Sequence, residues 1–459
     1  AWARSENSNS DVRVGVIGFN SKGANHLAQL QTTPGARIVA LCDVDPRVLA
    51  REVELLKNRH IPVFATTDTR KLLERSDVDA VVIASPNHWH ALHTLWACQA
   101  GKDVYVEKPV SHSVWEGRRM IEAAARYDRV VQAGTQKRSD TAMPEVIAYL
   151  REGHLGRIQW LHSVCYKLRE PLPRRLAWYP DWLDYNMYCG PAAVDPLTRE
   201  SLHYDWHWYW QTGNGDLANI GIHEFDVARW VLGDPAWPGR IMSVGGRFLA
   251  GDTGETPNTQ LTVFDYGDAP IILENRGLPV RPGVKEMDHV HGVRQGIYVQ
   301  CEGGFFAGRY GGVIYDREGK RVKTFAGDGG ARHLPNFLDA VRTRRKTVLA
   351  ASIETGHAST ASCLYGNVSF QLGRAGTIAH AREAVADLPG PALLLEKMLA
   401  HLGAHGLKQP RLTDGPWLRL ERNNAEIQAI SGGDDDAMKY ARHLARGTHR
   451  PPYVIPERV

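Results

Sequence analysis

The chain has 459 residues, of which 43% are hydrophobic and 23% charged, and a formal net charge of +4. A chain of this length is expected to fold as two domains with extensions. Its mild charge gives no reason to expect nucleic acid as a partner, and no apolar run approaches the roughly 20 residues that span a bilayer. We therefore expect a soluble protein without a membrane span.

The first residues carry little structural signal. Residues 1–11 are polar and aperiodic and are predicted to form an N-terminal tail. The sequence starts with A-W-A, a small-residue pattern that is typical of a signal-peptide cleavage site. This pattern favours a periplasmic or exported protein, and a disordered tail on a cytoplasmic protein is the alternative.

Residues 12–136 are predicted to form an α/β domain. Short apolar runs alternate there with amphipathic stretches. The strand candidates are 12–18, 37–43, 79–85, 103–108 and 129–135, and the helical stretches include 46–58 and 90–101. Strand and helix repeated in this way predict a parallel sheet with right-handed crossovers.

Residues 137–390 are predicted to form a second, α+β domain. Helical patterns lie at 142–152, 218–232, 333–344 and 353–373, and strand patterns at 156–168, 240–250, 259–266, 270–276, 297–302 and 311–315. Consecutive strands without helices between them favour an antiparallel sheet. Residues 391–459, with one more helical pattern and a proline-limited ending, are predicted to be a C-terminal extension packed on the second domain.

A glycine-containing turn follows the first predicted strand. It reads GVIGFNSKG over residues 15–23, and Asn20 holds the place of a middle glycine. Gly18 and Gly23 permit a tight turn and close approach of backbone N–H groups to a pyrophosphate at a helix N-terminus. Asp43 ends the second strand, where a carboxylate accepts a hydrogen bond from a ribose 2′-hydroxyl and repels a 2′-phosphate. The pattern predicts NAD rather than NADP, and a helix cap before Pro46 is the alternative role of Asp43.

Two further polar segments follow predicted parallel strands, at the edge of the sheet where ligands bind. One runs from Ser85 to His90 and the other is Glu107-Lys108-Pro109. A charged pair at the end of an apolar strand is costly unless it is used or well paired. A plain surface ion pair is the alternative.

Three segments together resemble the Gfo/Idh/MocA oxidoreductase family (glucose-fructose oxidoreductase, inositol dehydrogenase and relatives). They are GVIGFNSKG, the stretch from Ser85 to Met120, and GNGDLANIGIHEFD at 213–226, and the resemblance covers roughly 12–375. It implies a Rossmann domain followed by a domain with a large, open, mainly antiparallel sheet, which in the family builds the interface of a homodimer or homotetramer. The sequence looks most like a branch common in environmental bacteria and often exported.

The resemblance also implies roles for individual residues. Lys108 matches the family's catalytic lysine and His223 its catalytic histidine, whereas Asn219 stands where many family dehydrogenases carry an aspartate. Residues four apart share one face of a helix, so we expect Asn219 and His223 to face the same pocket. We assign His223 and Lys108 as an acid/base pair whose roles could be exchanged, and Asn219 as an orienting group. The predicted cofactor-binding residues are Gly18, Asn20, Gly23, Asp43, Ser85, Asn87, His88, Glu107, Lys108 and Gln136.

The aromatic region 166–210 is predicted to cover the substrate. Aromatic faces stack on the C–H faces of sugars, and polar side chains bond to their hydroxyls. The predicted substrate residues are Tyr166, Lys167, Arg199, His203, Tyr204 and Trp208. A buried loop or a subunit contact is the alternative for each of them. The histidines at 88, 90 and 93 lack a carboxylate or cysteine partner at ligand spacing, so no metal is predicted.

The leading hypothesis for function is an NAD-dependent oxidoreductase that acts on a sugar or glycoside hydroxyl. A few branches of the family are NAD-dependent glycosidases, in which oxidation at C3, elimination, hydration and reduction give no net redox change. This alternative uses the same residues and one further acid/base group. A non-catalytic protein that senses a dinucleotide or a sugar is the third hypothesis, and it does not require both Lys108 and His223.

Overall fold

A computed structural model describes residues 11–459. The predicted tail and its cleavage-like pattern therefore lie outside the described residues, except for Asp11. In the first domain the strands are β1 (Val12–Ile17), β2 (Ala36–Cys42), β3 (Phe64–Thr66), β4 (Ala80–Ile83), β5 (Asp103–Val106) and β6 (Val131–Ala133). The helices are α1 (Lys22–Leu30), α2 (Pro46–Lys57), α3 (Thr69–Leu73), α4 (Asn87–Gln99) and α5 (Val114–Arg126).

The first sheet is parallel, as predicted. Its six strands follow the order β3-β2-β1-β4-β5-β6, which is the order of dinucleotide-binding folds. The order in which successive strands are added reverses beside β1. A crevice opens there at the carboxyl ends of the strands. The local sequence defines the helix starts. Asp45 caps α2 ahead of Pro46, and Ser113 with Glu116 forms a capping box on α5.

The second domain begins after a 3₁₀ turn at Gln136–Ser139. Its strands are β7 (Ile158–Tyr166), β8 (Arg240–Gly246), β9 (Thr259–Asp265), β10 (Ile271–Arg276), β11 (Gln295–Cys301), β12 (Gly304–Gly308), β13 (Gly311–Asp316), β14 (Arg321–Ala326), β15 (Arg374–Gly376), β16 (Leu412–Asp414), β17 (Leu418–Leu420) and β18 (Ile427–Ile430). Its helices are α6 (Met143–Arg151), α7 (Tyr185–Cys189), α8 (Gly215–Asn219), α9 (Gly221–Val231), α10 (His333–Thr343), α11 (Ile353–Leu372), α12 (Ile378–Ala384), α13 (Pro389–Ala404) and α14 (Asp435–Arg446). Further 3₁₀ turns lie at Asp205–Trp208 and Lys346–Val348.

The second sheet is large and mainly antiparallel, as the sequence predicted. It has 12 strands, whose main path is β14-β13-β12-β11-β7-β10-β9-β8-β16-β15. Among the described strands of this second sheet, only β7 and β10 pair in parallel. Helix α9 packs on one face, where Phe225 meets Phe264 of β9. Helix α12 covers part of the other face through Ala381, and α13 through Leu394, Leu395 and Met398.

The predicted helix at 218–232 is two helices. Helix α8 ends at Asn219 and α9 starts at Gly221, so Asn219 and His223 do not share one continuous helix. A Cβ atom at Gly221 would lie 2.8 Å from a methyl carbon of Leu273 on β10. Close packing against the sheet thus requires glycine at the junction of the two helices. The prediction that Asn219 and His223 lie four residues apart on one helix is wrong, although both still reach the same cavity.

Two helices after β14 tie the domains together. We predicted both within the second domain, but α10 buries Leu334, Phe337 and Leu338 against the first sheet. Helix α11 packs between α5 of the first domain and β8 of the second, and it is buried over most of its length. The domain boundary is therefore crossed more often than the sequence suggested.

The segment 391–459 also reaches both domains. Strands β16 and β17 extend the second sheet beside β8, and α14 packs against α11. Beyond α14, Tyr453 and Ile455 are buried in the apolar cluster of the first domain. The predicted packing on the second domain is present, and the contact with the first domain is additional. The two apolar side chains among the prolines explain the additional contact, because each removes nonpolar area from water at the surface of α4 and α5.

Arg138 connects the linking 3₁₀ turn to the second domain. Its guanidinium donates to both carboxylate oxygens of Asp226 on α9, at 2.7 and 2.9 Å, and also to Asp234. The side chains of Arg138 and Asp226 are 4% and 1% exposed. Ser359 on α11 donates to the same Asp226 carboxylate at 2.6 Å. A buried carboxylate of this kind depends on its partners.

We expect Arg138→Met to lower the free energy of unfolding by about 3–5 kcal/mol, because the buried Asp226 carboxylate loses the cation that donates to both its oxygens and keeps only Arg229 at 4.0 Å. Urea denaturation followed by circular dichroism measures the loss. Arg157→Met is the matched control, since Arg157 pairs with Glu302 at 3.4 Å on an exposed surface. A change below about 1 kcal/mol is expected for it. Equal losses in the two variants would contradict this account of the domain link.

Candidate active site

A cavity of about 1700 Å³, measured with the open solvent at its mouth, lies at the carboxyl ends of β1, β2, β4 and β5. The first domain forms its floor. The junction of α8 and α9 forms one wall, and residues 168–212, which we call the lid, form another. The predicted site residues that line this cavity are Gly18, Asn20, Asp43, Ser85, Asn87, Glu107, Lys108, Gln136, Lys167, His203, Tyr204, Asn219 and His223.

The glycine turn is built for close approach. Gly18 has φ of +77°, and a Cβ atom there would lie 2.7 Å from the backbone nitrogen of Ser85. Gly23 lies on α1 outside the cavity lining, and a Cβ atom there would lie 2.0 Å from the carbonyl oxygen of Gly18. Gly23 therefore acts through packing, because it lets α1 start directly behind the turn. Asn20 takes the place of a middle glycine and lines the cavity.

Asp43 occupies the predicted position at the end of β2. Its carboxylate accepts hydrogen bonds from the backbone N–H groups of Phe19 and Asp45, at 3.1 and 3.0 Å. Burial raises the pKa of Asp43 above its ordinary value, and the two backbone donors oppose this shift. A fixed carboxylate beside a glycine turn fits the adenosine ribose of NAD, so the residues present fit this cofactor.

Lys108 and Asn219 meet across the domain boundary. The Lys108 amine donates to the backbone oxygen of Asn219 at 2.5 Å and to its side-chain oxygen at 3.1 Å. Burial lowers the pKa of Lys108 below its ordinary value of 10.5, while the Glu107 carboxylate opposes the shift and Lys22 adds to it. The amine is thereby held at one point of the cavity wall with a reduced tendency to be charged.

Glu107 supports this arrangement from behind. Its carboxylate bonds to His26 on α1 at 2.8 Å and accepts from the backbone N–H of Lys108 at 3.1 Å. Both side chains of the pair are buried, at 3% and 5% exposure. The hydrogen bond from His26 and the nearby Lys22 hold the pKa of Glu107 well below its usual range in spite of burial. Glu107 is therefore an ionised group that fixes the end of β5.

His223 lies half-buried at the start of α9. Its Nδ1 atom is buried and has no hydrogen-bond partner among the described residues. Burial lowers the pKa of His223 well below its ordinary value of 6.5, and the neighbouring Lys108 lowers it further. The imidazole is therefore neutral at pH 7 and keeps free hydrogen-bonding capacity. Such a group can take a proton from a bound hydroxyl.

The lid contributes a second histidine that we did not single out from the sequence. His207 lines the cavity and stacks on Trp206 with ring centroids 3.7 Å apart. Its Nδ1 lies 2.6 Å from the backbone oxygen of Tyr204. Burial lowers the pKa of His207 to about 3, although this backbone contact opposes the shift. The density of aromatic residues in the sequence marked the lid, but only the 3₁₀ turn shows which side chain enters the cavity.

Besides Gly23, four predicted site residues lie outside the cavity lining. Alternation along β7 turns Tyr166 to the far face of the sheet, where its hydroxyl donates to Glu274. Arg199 lies inside the lid, with its guanidinium 5.1 Å from the ring centroid of Tyr209. Trp208 is buried beneath Arg169 at 4.4 Å. The side chain of His88 points away from the floor, to carbonyl oxygens of the lid.

His203 lines the cavity at a different end from the one predicted. Its Nε2 lies 2.9 Å from a carboxylate oxygen of Asp45, close to Asp43. This position belongs to the adenosine end of the cavity. His203 therefore lies beside the carboxylates that follow β2, and its substrate role stays a prediction. Lys167, Tyr204 and His207 also line the cavity.

Three further features of the structure concern metal ligands, cysteines and membrane-spanning helices. Within residues 11–459, no set of three or more His, Cys, Asp or Glu side chains is placed to hold a metal ion. All six cysteines are buried and free. None of the described helices is long and apolar enough to cross a membrane.

The fold and the cavity are those of a dinucleotide-binding domain joined to a separate sheet domain. Comparison with known sequences agrees. Residues 12–135 match the NAD-binding Rossmann fold of the Gfo/Idh/MocA oxidoreductase family, and residues 167–245 match the family's C-terminal α/β domain. The resemblance seen in the motifs is confirmed over these two segments.

Curated relatives match over part of their length. An inositol 2-dehydrogenase of Saccharopolyspora erythraea is 30% identical over 224 residues, which are 48% of this chain and 54% of that protein. A glycosyl hydrolase family 109 protein of a Shewanella species is 28% identical over 181 residues, 37% of this chain and 39% of that protein. The chain thus spans about half the length, or less, of these relatives.

Solved structures share the fold over most of the chain. The WlbA dehydrogenase of Bordetella pertussis, in complex with NADH and UDP-GlcNAcA, is 18% identical with a TM-score of 0.56 and covers 76% of this chain and 93% of its own. An aldose-aldose oxidoreductase of Caulobacter crescentus is 17% identical with a TM-score of 0.57, over 76% and 94%. At this identity the likeness concerns the fold.

We expect Asp43→Asn to weaken NADH binding about tenfold, because the ribose loses a charged acceptor. The preference for NADH over NADPH should fall as well, since the charge that repels a 2′-phosphate is gone. Fluorescence titration with each nucleotide measures both effects. Asp77→Asn is the control, because Asp77 pairs with Arg75 outside the cavity. Unchanged affinity and preference in Asp43→Asn would contradict the placement of the ribose.

Proposed function

We propose that this protein is an NAD-dependent oxidoreductase that oxidises or reduces a hydroxyl-bearing carbon of a sugar or glycoside. One observation carries the proposal. Lys108 and His223 line the same cavity as Asp43 and Gly18. An acid/base pair at one end of a dinucleotide cavity is the arrangement that hydride transfer at a carbinol carbon requires.

His223, Lys108 and Asn219 have different roles in the proposed reaction. Gly18 and Asp43 would hold NAD, which would supply hydride exchange at the substrate carbon. His223 takes the hydroxyl proton during oxidation, because its imidazole is neutral and its pKa lies well below 6.5. The Lys108 amine hydrogen-bonds the reacting oxygen, and Asn219 holds that amine through two oxygen atoms. Asn219 therefore acts on Lys108 and does not need the carboxylate that many family dehydrogenases carry there.

A sugar suits the lid side of the cavity. Tyr204, Trp206 and His207 present flat faces and polar edges, and Lys167 adds a flexible donor. Sugars are bound through stacking on aromatic faces and hydrogen bonds to hydroxyls. The names of the relatives, an inositol dehydrogenase and a family of glycosyl hydrolases, support a polyhydroxylated substrate.

A second candidate function is the redox-neutral glycosidase. His207 favours it, because elimination of an aglycone needs one more acid/base group than simple oxidation does. The similarity to glycosyl hydrolase family 109 proteins supports it further. The same cavity would then release an aglycone without net consumption of NAD.

We also propose that the protein is exported to the periplasm and assembles as a homodimer or homotetramer. Both proposals rest on the sequence resemblance.

A glycoside panel separates the two candidate functions. Each glycoside is incubated with the protein in heavy water, with and without NAD, and the products are analysed by mass spectrometry. A glycoside lighter by two hydrogens, formed only with NAD or an acceptor sugar, is expected for the oxidoreductase. Free aglycone, together with a released sugar that carries deuterium at C2, would instead support the glycosidase. No product across the panel would contradict both and favour a sensor of dinucleotide or sugar.

His223→Asn and Lys108→Met are each expected to lower kcat by roughly 10²–10⁴, because a positioned proton-transfer group contributes that factor. The Kd for NADH should stay within about threefold. In the wild type, the acid limb of kcat/KM should lie below pH 6.5, because activity needs neutral His223 and is lost only as pH falls through its lowered pKa. His223→Asn should remove this limb.

The matched control is His154→Asn, at an exposed histidine of the second domain. An acid limb at or above pH 6.5 in the wild type would contradict the assignment of His223. Full activity in both His223→Asn and Lys108→Met would contradict the assignment of these two residues as the acid/base pair.

A further inference from the structure

The segment that follows α14 returns to the cavity. We call residues 449–455 the strap. Its first residue, His449, bonds to the Glu116 carboxylate on α5 at 2.8 Å. Farther along, Ile455 is buried in the apolar cluster of the first domain. The strap is therefore fixed at both ends to the domain that binds the dinucleotide.

Arg450 joins the strap to the lid. Its backbone N–H donates to the oxygen of Pro191 at 3.1 Å, and its guanidinium donates to the backbone oxygens of Gly190 and Ala192 at 2.8 and 3.1 Å. It also donates to the side-chain oxygen of Asn186 at 2.9 Å. A rigid fork with this many acceptors defines one position for the lid.

The lid segment held in this way lies over the cavity. Met187 and Tyr188 belong to it, and both line the cavity. The backbone oxygen of Tyr188 lies 2.9 Å from Nε1 of Trp89 and 3.1 Å from a ring nitrogen of His88. Helix α4 and the strap thus hold the same short stretch of lid from two sides.

Tyr453 places an aromatic ring in the cavity wall. Its backbone N–H donates to the oxygen of Arg450 at 2.8 Å, and the residue is 6% exposed. The ring meets Trp89 edge to face, with centroids 5.3 Å apart. Trp96 and Arg70 line the same part of the cavity.

The position of Asp43 identifies which part of the cofactor this wall meets. The Asp43 carboxylate fits the adenosine ribose, so the base attached to that ribose lies beside it. Residues 67–70, which follow β3, adjoin Asp43 in the cavity lining: Thr69 lies 3.5 Å from Cys42, the neighbour of Asp43. The wall formed by Arg70 and Tyr453 therefore belongs to the adenine end, away from Lys108 and His223.

We propose that the strap is part of the cofactor site: Tyr453 closes the adenine subsite, and Arg450 locks that closure to the lid. A bound NAD leaves only when the strap, the lid segment 186–192, or both move. This inference rests on the NAD-binding fold and holds for either candidate reaction, because it concerns only retention of the cofactor. A purine ring stacks on aromatic and guanidinium faces, which Tyr453, Trp96 and Arg70 supply.

The test is the rate at which NADH leaves. NADH is bound to the full chain, its fluorescence is excited through the tryptophans, and excess NAD⁺ is added in a stopped-flow mixer. We expect Tyr453→Ala and Arg450→Ala to speed release by about tenfold to a hundredfold, while Tyr453→Phe releases like the wild type. Arg119→Ala is the matched control, because Arg119 holds Glu457 beyond the strap.

Release from Tyr453→Ala and Arg450→Ala at the rate of Arg119→Ala would overturn the proposal. Release from Tyr453→Phe as fast as from Tyr453→Ala would overturn the role of the ring. Hydrogen exchange on the unmodified protein decides independently of any variant. We expect NADH to slow exchange of the amides in 449–455 about tenfold, and equal rates with and without NADH would overturn the proposal.

Discussion

The contact between Lys108 and Asn219 is the constraint on which the rest of the site depends. Lys108 follows β5 in the first domain and Asn219 ends α8 in the second, so the contact joins the two folding units. A buried amine must find oxygen acceptors, and Asn219 supplies two of them. Once this contact is made, the first turn of α9 and His223 stand at the edge of the first sheet. The cavity depends on this docking, because residues of both domains line it.

Other features stabilise that docking. Arg138 holds the linking turn to α9, and α11 packs against α5 on one side and β8 on the other. The lid then covers the cavity from the second domain, and the strap fastens the lid to the first. The proposed acid/base pair lies at the end of β5 and at the start of α9, where buried contacts hold Lys108. The lid and the strap, which we propose to retain the cofactor, are mainly irregular segments.

Much of the first domain could be predicted from sequence, because strand, helix and glycine turn each carry a strong local signal there. The roles of Gly18 and Asp43 follow from their places after β1 and β2, and both residues line the cavity. The second domain was predictable as a class of sheet but not strand by strand. Strands such as β15 and β17 have three residues each and form only because β16 and β8 offer an edge.

The site was less predictable where a side chain's direction depends on tertiary contacts. Tyr166 and Lys167 are adjacent, yet alternation along β7 sends only Lys167 to the cavity. Nothing in the local pattern distinguishes His203 from His207, and the lid turns one to Asp45 and the other to the substrate end. The sequence around Tyr453 does not indicate that this residue lines the cavity. Its position depends on the C-terminal segment packing against the first domain, which is distant in sequence.

The most direct measurement is a crystal structure of the protein with NADH. We expect this structure to show the adenine ring beside Tyr453 and the ribose on the Asp43 carboxylate. We expect the nicotinamide ring in the part of the cavity lined by Lys108 and His223. A nicotinamide ring bound away from these two side chains would contradict the central claim, because neither could then exchange a proton with a substrate that exchanges a hydride with the ring.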